Sequence, residues 1–279
     1  MTKTVAQAML AKVYAEKEVQ DYDKVIAYAD KVINTTGVEL EDSYETLWGY
    51  DETAKDCMKR NTKEGILEVH WTTGSGNWET WMYGRQLDNW DYYFTWAKWI
   101  TPSRDIINDF DKEGDEVRKN QAIVYYACTW SNYYPASNYP FMYKLRSSYN
   151  NIYWLRLADI ILMKAEAEAY KGNLAESAKL VNQIRKRAKL KELTSDKTGS
   201  KESMIEAVLH ERRLELAFEG ERWFDLCRNN KVEKYLNGID NRDSGRIRQV
   251  RQFDGNSYLL PIPQTALDQN TNCLLYTSD

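Results

Sequence analysis

Residues 204–229 (MIEAVLHERRLELAFEGERWFDLCRN) constrain the fold most, because their helical spacing places charged side chains among apolar ones. Apolar residues recur every three or four positions, and the same stripe carries Arg212, Glu215 and Glu219. Charges on a buried stripe must be paired, since an unpaired buried charge is costly. Gly220 can end one helix and let the next begin. The segment therefore predicts two helices joined by a buried network of ion pairs.

Both signs of charge occur within a few turns of this segment, so we expect the ion-pair network to be structural. The alternative is a catalytic pair of carboxylates. The expected pairs are Glu211 with Arg212 and Arg213, Glu219 with Arg222, and Asp225 with Arg228, and Glu215 belongs to the same set.

Two further helix pairs are predicted from the apolar periodicity. Residues 5–19 and 22–33 form the first pair, with Leu10 expected on a buried face. Their link is so short that the helices must pack antiparallel. Residues 154–170 and 174–188 form the second pair. Repeated hairpins with alanines at their seams favour a mostly α, tetratricopeptide-like array, although the units are irregularly spaced.

The motif ERRLELAFEGERWFDLCR resembles the signature of the SusD/RagB family of outer-membrane nutrient-binding lipoproteins. The segments LRLADIILMKAEAEAYKGNLAESAKLVNQIRKRA and YLLPIPQTALDQN are also similar to family segments. Asp159 replaces the family's usual Glu, and Lys164 its usual small or aromatic residue, without disturbing the helical periodicity. The resemblance covers residues 4–272 and corresponds to the C-terminal part of a family member. It implies a single SusD-like domain with a tetratricopeptide-like core.

The resemblance also implies a function without catalysis. A family member binds a glycan or other nutrient at the cell surface and delivers oligosaccharides to a SusC-like TonB-dependent transporter. It would be held at the outer membrane by a lipid anchor, and the export signal and lipidated cysteine that this requires are not present in residues 1–279. No cofactor is expected.

Between the helix pairs, residues 71–139 are rich in aromatic residues and turn residues, which predicts loops with short helices laid over the helical scaffold. An exposed indole matches the C–H face of a pyranose, while Asn, Asp and Arg side chains bind its hydroxyls. Trp71 and Trp99 are expected in the core. The candidate glycan-binding residues are Trp78, Trp81, Trp90, Trp130, Asn77, Arg85, Asp88, Asn89, Asn132 and Tyr133.

Two other functions are weighed against glycan binding. A helical-repeat adaptor would bind a peptide along its concave face, which would leave the many loop tryptophans unexplained. A glycoside hydrolase needs two carboxyl groups roughly 5 to 10 Å apart. Asp88 and Asp91 are available for this, but with 42 acidic residues a chance pair means little.

The sequence composition argues against a nucleic-acid-binding, a membrane-spanning or a zinc-binding protein. The net charge of −4 and the pI near 5.5 give no basic surface for nucleic acid. No apolar stretch approaches the ~20 residues of a membrane span. Cys57, Cys128, Cys227 and Cys273 lie far apart without metal-ligand spacing, so a zinc site is not expected, and the sequence leaves any disulfide pairing open.

The last seven residues, CLLYTSD, do not resemble the sequence with which members of the family end. CLLYTS corresponds to one reading frame of a transposase-type sequencing adapter. We therefore expect residues 1–272 to form the domain and residues 273–279 to be a non-native tail, with Met1 an internal or chance start. The alternative is a genuine divergent tail.

Overall fold

The computed structural model describes residues 2–71, 78–85, 87, 100–129, 131, 133–243, 251–259 and 262–269, which are mainly helical. The mostly α fold expected from the sequence is confirmed. The helices are α1 (Lys3–Ala15), α2 (Tyr22–Ile33), α3 (Tyr44–Trp48), α4 (Trp78–Tyr83), α5 (Arg104–Glu113), α6 (Glu116–Ala122), α7 (Leu157–Lys171), α8 (Leu174–Arg187), α9 (Ser195–Thr198), α10 (Lys201–Glu215), α11 (Arg222–Arg228), α12 (Val232–Leu236), α13 (Ile239–Arg242) and α14 (Gln264–Gln269). The strands are β1 (Tyr50–Asp51), β2 (Asp56–Cys57), β3 (Gly65–Val69), β4 (Ile123–Tyr126), β5 (Tyr139–Met142) and β6 (Ile152–Arg156).

Helices α1 and α2 form the first hairpin. The prediction of a helix over residues 22–33 is confirmed, and the Asp21 side chain caps it by accepting a hydrogen bond from the Lys24 amide at 3.1 Å. The predicted first helix is too long, because Glu16 is extended and Lys17–Val19 form a 3₁₀ turn.

The outer face of α1 carries apolar side chains that the described parts of the chain do not cover. Val5, Ala8 and Ala11 are buried against neighbouring helices. Leu10 was expected on a buried face, and this was wrong, since it is 36% exposed. Val13 lies on the same outer surface.

The second hairpin consists of α7 and α8. The predicted helix over residues 154–170 begins too early, because Ile152–Arg156 form strand β6, which pairs antiparallel with β3. The pairing satisfies the backbone of β6 and holds it extended. Gly172 ends α7 with φ of 84°, and its amide donates to the Ala169 carbonyl at 3.0 Å.

Helix α7 lies at the centre of the core and is buried along almost its whole length. Residues of α1, α2, β6, α8 and α10 pack around it in one apolar cluster. Small residues such as Ala158, Ala165 and Ala169 let these helices approach closely. None of the helices in the described ranges is long and apolar enough to cross a bilayer.

The strands form three separate two-stranded antiparallel ladders within the described ranges: β1 with β2, β3 with β6, and β4 with β5. The β3–β6 ladder is irregular: Glu68 pairs with Tyr153 and Leu67 pairs with Leu155, so Trp154 is an extra residue on β6. Such a bulge redirects a side chain out of the regular ladder.

The third helix pair is α10 and α11, whose junction positions the buried charges. The expected break between two helices is present, but α10 already ends at Glu215; Gly220 has a φ of 88°, and α11 begins at Arg222. Phe218 also has a positive φ, of 67°. The sharp turn brings α11 back against α7 and α10, so that Asp225 and Arg228 are buried.

Candidate functional site

A buried network of charges joins the helical scaffold to the segment that carries the candidate binding residues. Arg156, at the end of β6, donates to Glu64 at 2.9 Å, to Glu215 at 2.7 Å and to Glu219 at 2.6 Å. Arg187 of α8 donates to Glu215 at 2.6 Å. Glu215 therefore ties together residues that lie far apart in the sequence.

The surroundings of Glu215 decide its charge. Burial alone raises the pKa of a carboxyl group, but Arg187, Arg156 and Arg118 together hold the pKa of Glu215 well below its ordinary value. The Tyr44 hydroxyl also donates a hydrogen bond to the Glu215 carboxylate, at 2.6 Å. Glu215 is thus a fixed anion with several donors, an arrangement suited to holding elements together rather than to proton transfer.

A second part of the network lies along α10 and α11. Arg212 is fully buried and contacts Asp159 at 2.7 Å and Asp225 at 2.9 Å. Arg228 contacts Glu166 at 2.7 Å and Asp225 at 2.6 Å. Of the pairs expected within the segment, the structure contains Asp225 with Arg228.

The other expected pairs were wrong. Adjacent residues of α10 point in different directions, and Glu219 lies in the turn before α11, so the partners come from other elements. Glu211 pairs with Arg118 and Arg185 instead of Arg212 or Arg213, Arg213 with Asp105 and Asp109, and Glu219 with Lys144 and Arg156 instead of Arg222.

Arg222 differs from the other arginines of the segment. Its guanidinium donates to the Leu209 carbonyl at 3.1 Å and lies over the Tyr235 ring at 4.7 Å. Burial and the neighbouring Arg213 lower the pKa of Arg222 to about 10. The side chain therefore remains charged at neutral pH.

The aromatic segment is attached to this scaffold at α4. The Arg85 amide donates to the Leu145 carbonyl at 3.1 Å, and the Leu87 amide to the Arg146 carbonyl at 2.7 Å. At Gly84 a Cβ atom would lie 2.3 Å from the Leu145 carbonyl oxygen, so a side chain does not fit there. At the start of α4, Trp78 is 65% exposed. A flat apolar ring is thus presented to solvent from an anchored helix.

The candidate binding residues occupy different situations. The Arg85 side chain is buried, with its guanidinium 4.3 Å from the Tyr126 ring centroid. Trp81 is in α4, but its side chain is outside the described part. Six other candidates lie outside the described residues altogether: Asn77, Asp88, Asn89, Trp90, Trp130 and Asn132, as do Asp91 and Trp99.

Tyr133 belongs to a cluster that fixes its loop to the C-terminal part of the chain. Its hydroxyl donates to Asp243, which also pairs with Arg104 at 3.2 Å. The Arg104 guanidinium lies over the rings of Tyr133 and Tyr134, at 4.6 and 4.1 Å. The polar end of Tyr133 is therefore engaged within the protein.

The sequence analysis missed exposed aromatic residues outside the predicted loops. Trp154, assigned to a helix, is 65% exposed on the bulge of β6. Trp223 and Phe224 of α11 are also partly exposed, and the Trp223 ring centroid is 6.0 Å from that of Phe253. The alternation in IYWLR, with Tyr153 and Leu155 buried, was the signal that could have identified Trp154.

No group of three or more His, Cys, Asp and Glu side chains is arranged to hold a metal ion in the part of the chain that the structure describes. Cys57, Cys128 and Cys227 form no disulfide with one another in the described residues. Burial raises the pKa of the Cys57 thiol to about 11. Cys273, with the rest of the proposed tail, lies outside the described residues.

Comparison with known proteins identifies the family. Residues 63–274, more than half of the chain, match the sequence profile of the SusD family (SusD_RagB). The chain belongs to the SusD family. SusD-like protein P2 of Formosa agariphila is 26% identical over 98% of this chain and 58% of its own length. SusD-like protein P38 of the same organism is 39% identical over 103 residues, which are 35% of this chain and 20% of that protein.

Solved structures share the fold. A SusD superfamily protein from Parabacteroides distasonis has a TM-score of 0.73 at 21% identity, covering 98% of this chain and 62% of that one. Surface glycan-binding protein A from Bacteroides thetaiotaomicron, in complex with laminarihexaose, has a TM-score of 0.71 at 16% identity, covering 96% and 62%. This SusD family chain therefore spans about three fifths of the length of these relatives, and the likeness to the solved structures shows the fold alone.

Proposed function

We propose that this SusD family protein binds a glycan without catalysis and delivers oligosaccharides to a SusC-like TonB-dependent transporter. Two structural relatives support the choice of ligand: one is described as a surface glycan-binding protein in complex with laminarihexaose, and the other as a laminarin-binding SusD-like protein. The family implies attachment to the outer membrane through a lipid anchor, with the binding surface outside the cell.

The observation that carries the proposal is the placement of Trp78. An exposed indole on an anchored helix can stack against the C–H face of a sugar ring without reorganising the scaffold. In the proposal Trp81, Trp90 and Trp130 add further stacking faces. Asn77, Asp88, Asn89 and Asn132 bind sugar hydroxyls.

The two remaining candidates have supporting roles in the proposal. Arg85 stacks on Tyr126 and holds the end of α4 in place. Tyr133, through its bond to Asp243, holds the neighbouring loop. Both would act on the position of the stacking rings more than on the sugar itself.

Calorimetric titration of the natural full-length protein tests this function. An array of polysaccharides that includes laminarin first identifies the ligand, and Trp78→Ala is then compared with the wild type. We expect about tenfold or greater loss of affinity, because a few exposed rings carry most of the stacking energy. The released reducing sugar should stay at background, since no hydrolysis is proposed.

Trp154→Ala is the matched control, because Trp154 is exposed to the same extent on another element. It should bind the glycan normally. Equal affinity of the wild type and Trp78→Ala, with both proteins folded, would place the site elsewhere. Release of reducing sugar by the intact protein would favour a glycoside hydrolase instead.

A further inference from the structure

A cavity of about 350 Å³ lies where α5, α10, α11, α12 and α13 meet. Its walls are largely apolar, with Ile106, Leu216, Ala217, Leu236 and Ile239 among the lining residues. Its volume is at the lower end of the range of small-molecule sites. No residue of α4 is among those that line the cavity, so an inference about it goes beyond the proposed glycan binding at α4.

The cavity has an opening to solvent. Trp223 and Ile100 both line it, and both side chains are partly exposed, Trp223 to 38%. Thr101 and Met142 also line the space. A small molecule could therefore enter without unfolding of the surrounding helices.

Three arginines line the cavity, and they are not equivalent. Arg212 is held by Asp159 and Asp225, and Arg213 by Asp105 and Asp109. Arg222 makes no ion pair within 4.0 Å in the part of the chain that is described. Asp225 and Asp109 lie near enough to favour the charge of Arg222, but they do not offset its desolvation, and its pKa is lowered overall. An anionic group brought by a ligand would supply a paired opposite charge, and a guanidinium binds a carboxylate in two parallel hydrogen bonds.

A buried acceptor adds a second polar function. Asp225 lines the cavity and is 1% exposed. Its Oδ1 atom accepts hydrogen bonds from Arg212 and Arg228. Its Oδ2 atom is buried and has no hydrogen-bond partner among the residues of the described ranges. Buried polar atoms are rarely left unsatisfied, so a donor from a ligand would find an acceptor waiting there.

We propose that this cavity binds a small carboxylic acid with an apolar body, whose carboxylate pairs with Arg222. The apolar body lies among the aliphatic side chains, and a hydroxyl group on it can donate to Asp225 Oδ2. A sugar acid fits less well, because most of its hydroxyls would face aliphatic side chains without hydrogen-bond partners.

Calorimetric titration of the natural full chain with three matched probes tests the inference. The probes are phenylacetate, its neutral counterpart phenylacetamide, and para-hydroxyphenylacetate, with galacturonate as the sugar acid. We expect saturable binding of phenylacetate. Phenylacetamide should bind at least about tenfold more weakly than phenylacetate, because a charge-assisted hydrogen bond is lost. The hydroxylated acid should bind more tightly than phenylacetate, and galacturonate more weakly.

Three variants locate the site. Arg222→Gln should weaken phenylacetate binding to the level of phenylacetamide. Ala217→Leu places a larger side chain on the cavity wall and should abolish binding of all three aromatic probes while the protein stays folded. Phe224→Ala is the control, because Phe224 is exposed on α11 and does not line the cavity. It should bind like the wild type.

Several outcomes would overturn the proposal. These are the absence of saturable binding by phenylacetate, equal affinity for the acid and the amide, or unchanged binding by Ala217→Leu. If Arg222→Gln does not fold, the comparison of acid with amide and the Ala217→Leu variant still decide. A crystal structure grown with phenylacetate in which another segment of the chain fills the cavity would also overturn it.

Discussion

Helix α10 uses its carboxylates differently on two faces. On the inner face, Glu215 is fully buried and contacts Arg118, Arg156 and Arg187, which belong to three other elements. On the outer face, Glu206 is partly exposed and contacts lysines that follow α11 in sequence, one of them Lys231 at 2.8 Å. The buried glutamate therefore joins three other elements at once, whereas the partly exposed one pairs with two lysines in or just before α12.

The difference follows from solvation. A buried charge cannot be satisfied by water when its partner is removed, so the cost of breaking the pair is large. An exposed charge is screened and exchanges its partner for water. Removing a charged side chain from the inner face should therefore lower the free energy of unfolding strongly, and removing one from the outer face should lower it only slightly. The mutations below test this comparison, in order of decreasing effect.

Arg212→Ala should give the largest effect. It leaves Asp159 and Asp225 buried without their shared partner. We expect a loss of about 3 to 5 kcal/mol in the free energy of unfolding. Chemical denaturation of the purified variant measures this loss.

Arg213→Ala is the matched control for Arg212→Ala, since it is the next residue of the same helix and is less buried. It should cost less than Arg212→Ala, because Asp105 keeps Arg242 as a partner and Asp109 is partly exposed. Equal losses for the two variants would contradict the link between burial and cost. An unchanged midpoint for Arg212→Ala, together with lost ligand binding, would show that the network is functional and not structural.

The sequence predicted the helices better than it predicted their contacts. The bounds of α2 followed from a regular apolar repeat, which is local, and the structure shows Asp21 as its cap. Strand β6 was mistaken for the start of a helix, because its extended form depends on pairing with β3, which lies far away in sequence. Local propensity cannot include such a partner.

The ion-pair network shows in the same way that a local sequence pattern does not identify distant partners. That Glu215 and Arg212 would be buried and paired followed from the helical stripe. Their partners Arg156, Arg187 and Asp159 did not, because these come from elements that only the tertiary fold brings together. The cavity beside Arg222 also depends on the packing of several elements, so no local pattern could indicate it, whereas the alternation in IYWLR is a local signal for the exposure of Trp154.

Gly220→Ala should lower the free energy of unfolding by an intermediate amount. The turn at Gly220 brings Asp225 of α11 to Arg212 of α10, and its φ of 88° is unfavourable for any residue with a side chain. A Cβ atom there meets nothing within 4 Å, so the cost is conformational and not steric. We expect a loss of about 1 to 2 kcal/mol in unfolding free energy, measured by chemical denaturation.

The control for this glycine is Gly255→Ala, because Gly255 has open space around it and no positive φ. It should change the stability by less than about 0.5 kcal/mol. If the alanine at 220 is as well tolerated as the alanine at 255, the turn does not hold the two halves of the network in register.

Glu206→Gln should lower the free energy of unfolding least of these variants. The loss should be present at neutral pH and disappear at acidic pH. Despite partial burial, which opposes ionisation, hydrogen bonds from Lys231, Lys234 and Tyr235 lower the pKa of Glu206 from 4.5 to about 2. A carboxyl group whose pKa is lower in the folded state stabilises the protein above its unfolded pKa, and this stabilisation is lost as the pH falls towards the folded pKa. Because Glu206 is partly exposed, screening reduces the contribution to about 1 kcal/mol or less. The unfolding free energy of the wild type should therefore exceed that of Glu206→Gln by this amount at pH near 7, and the difference should decline between about pH 5 and pH 2. Denaturation curves of both proteins across this range measure it, and a difference that stays constant or grows on acidification would show that the outer face does not act through the charge of Glu206.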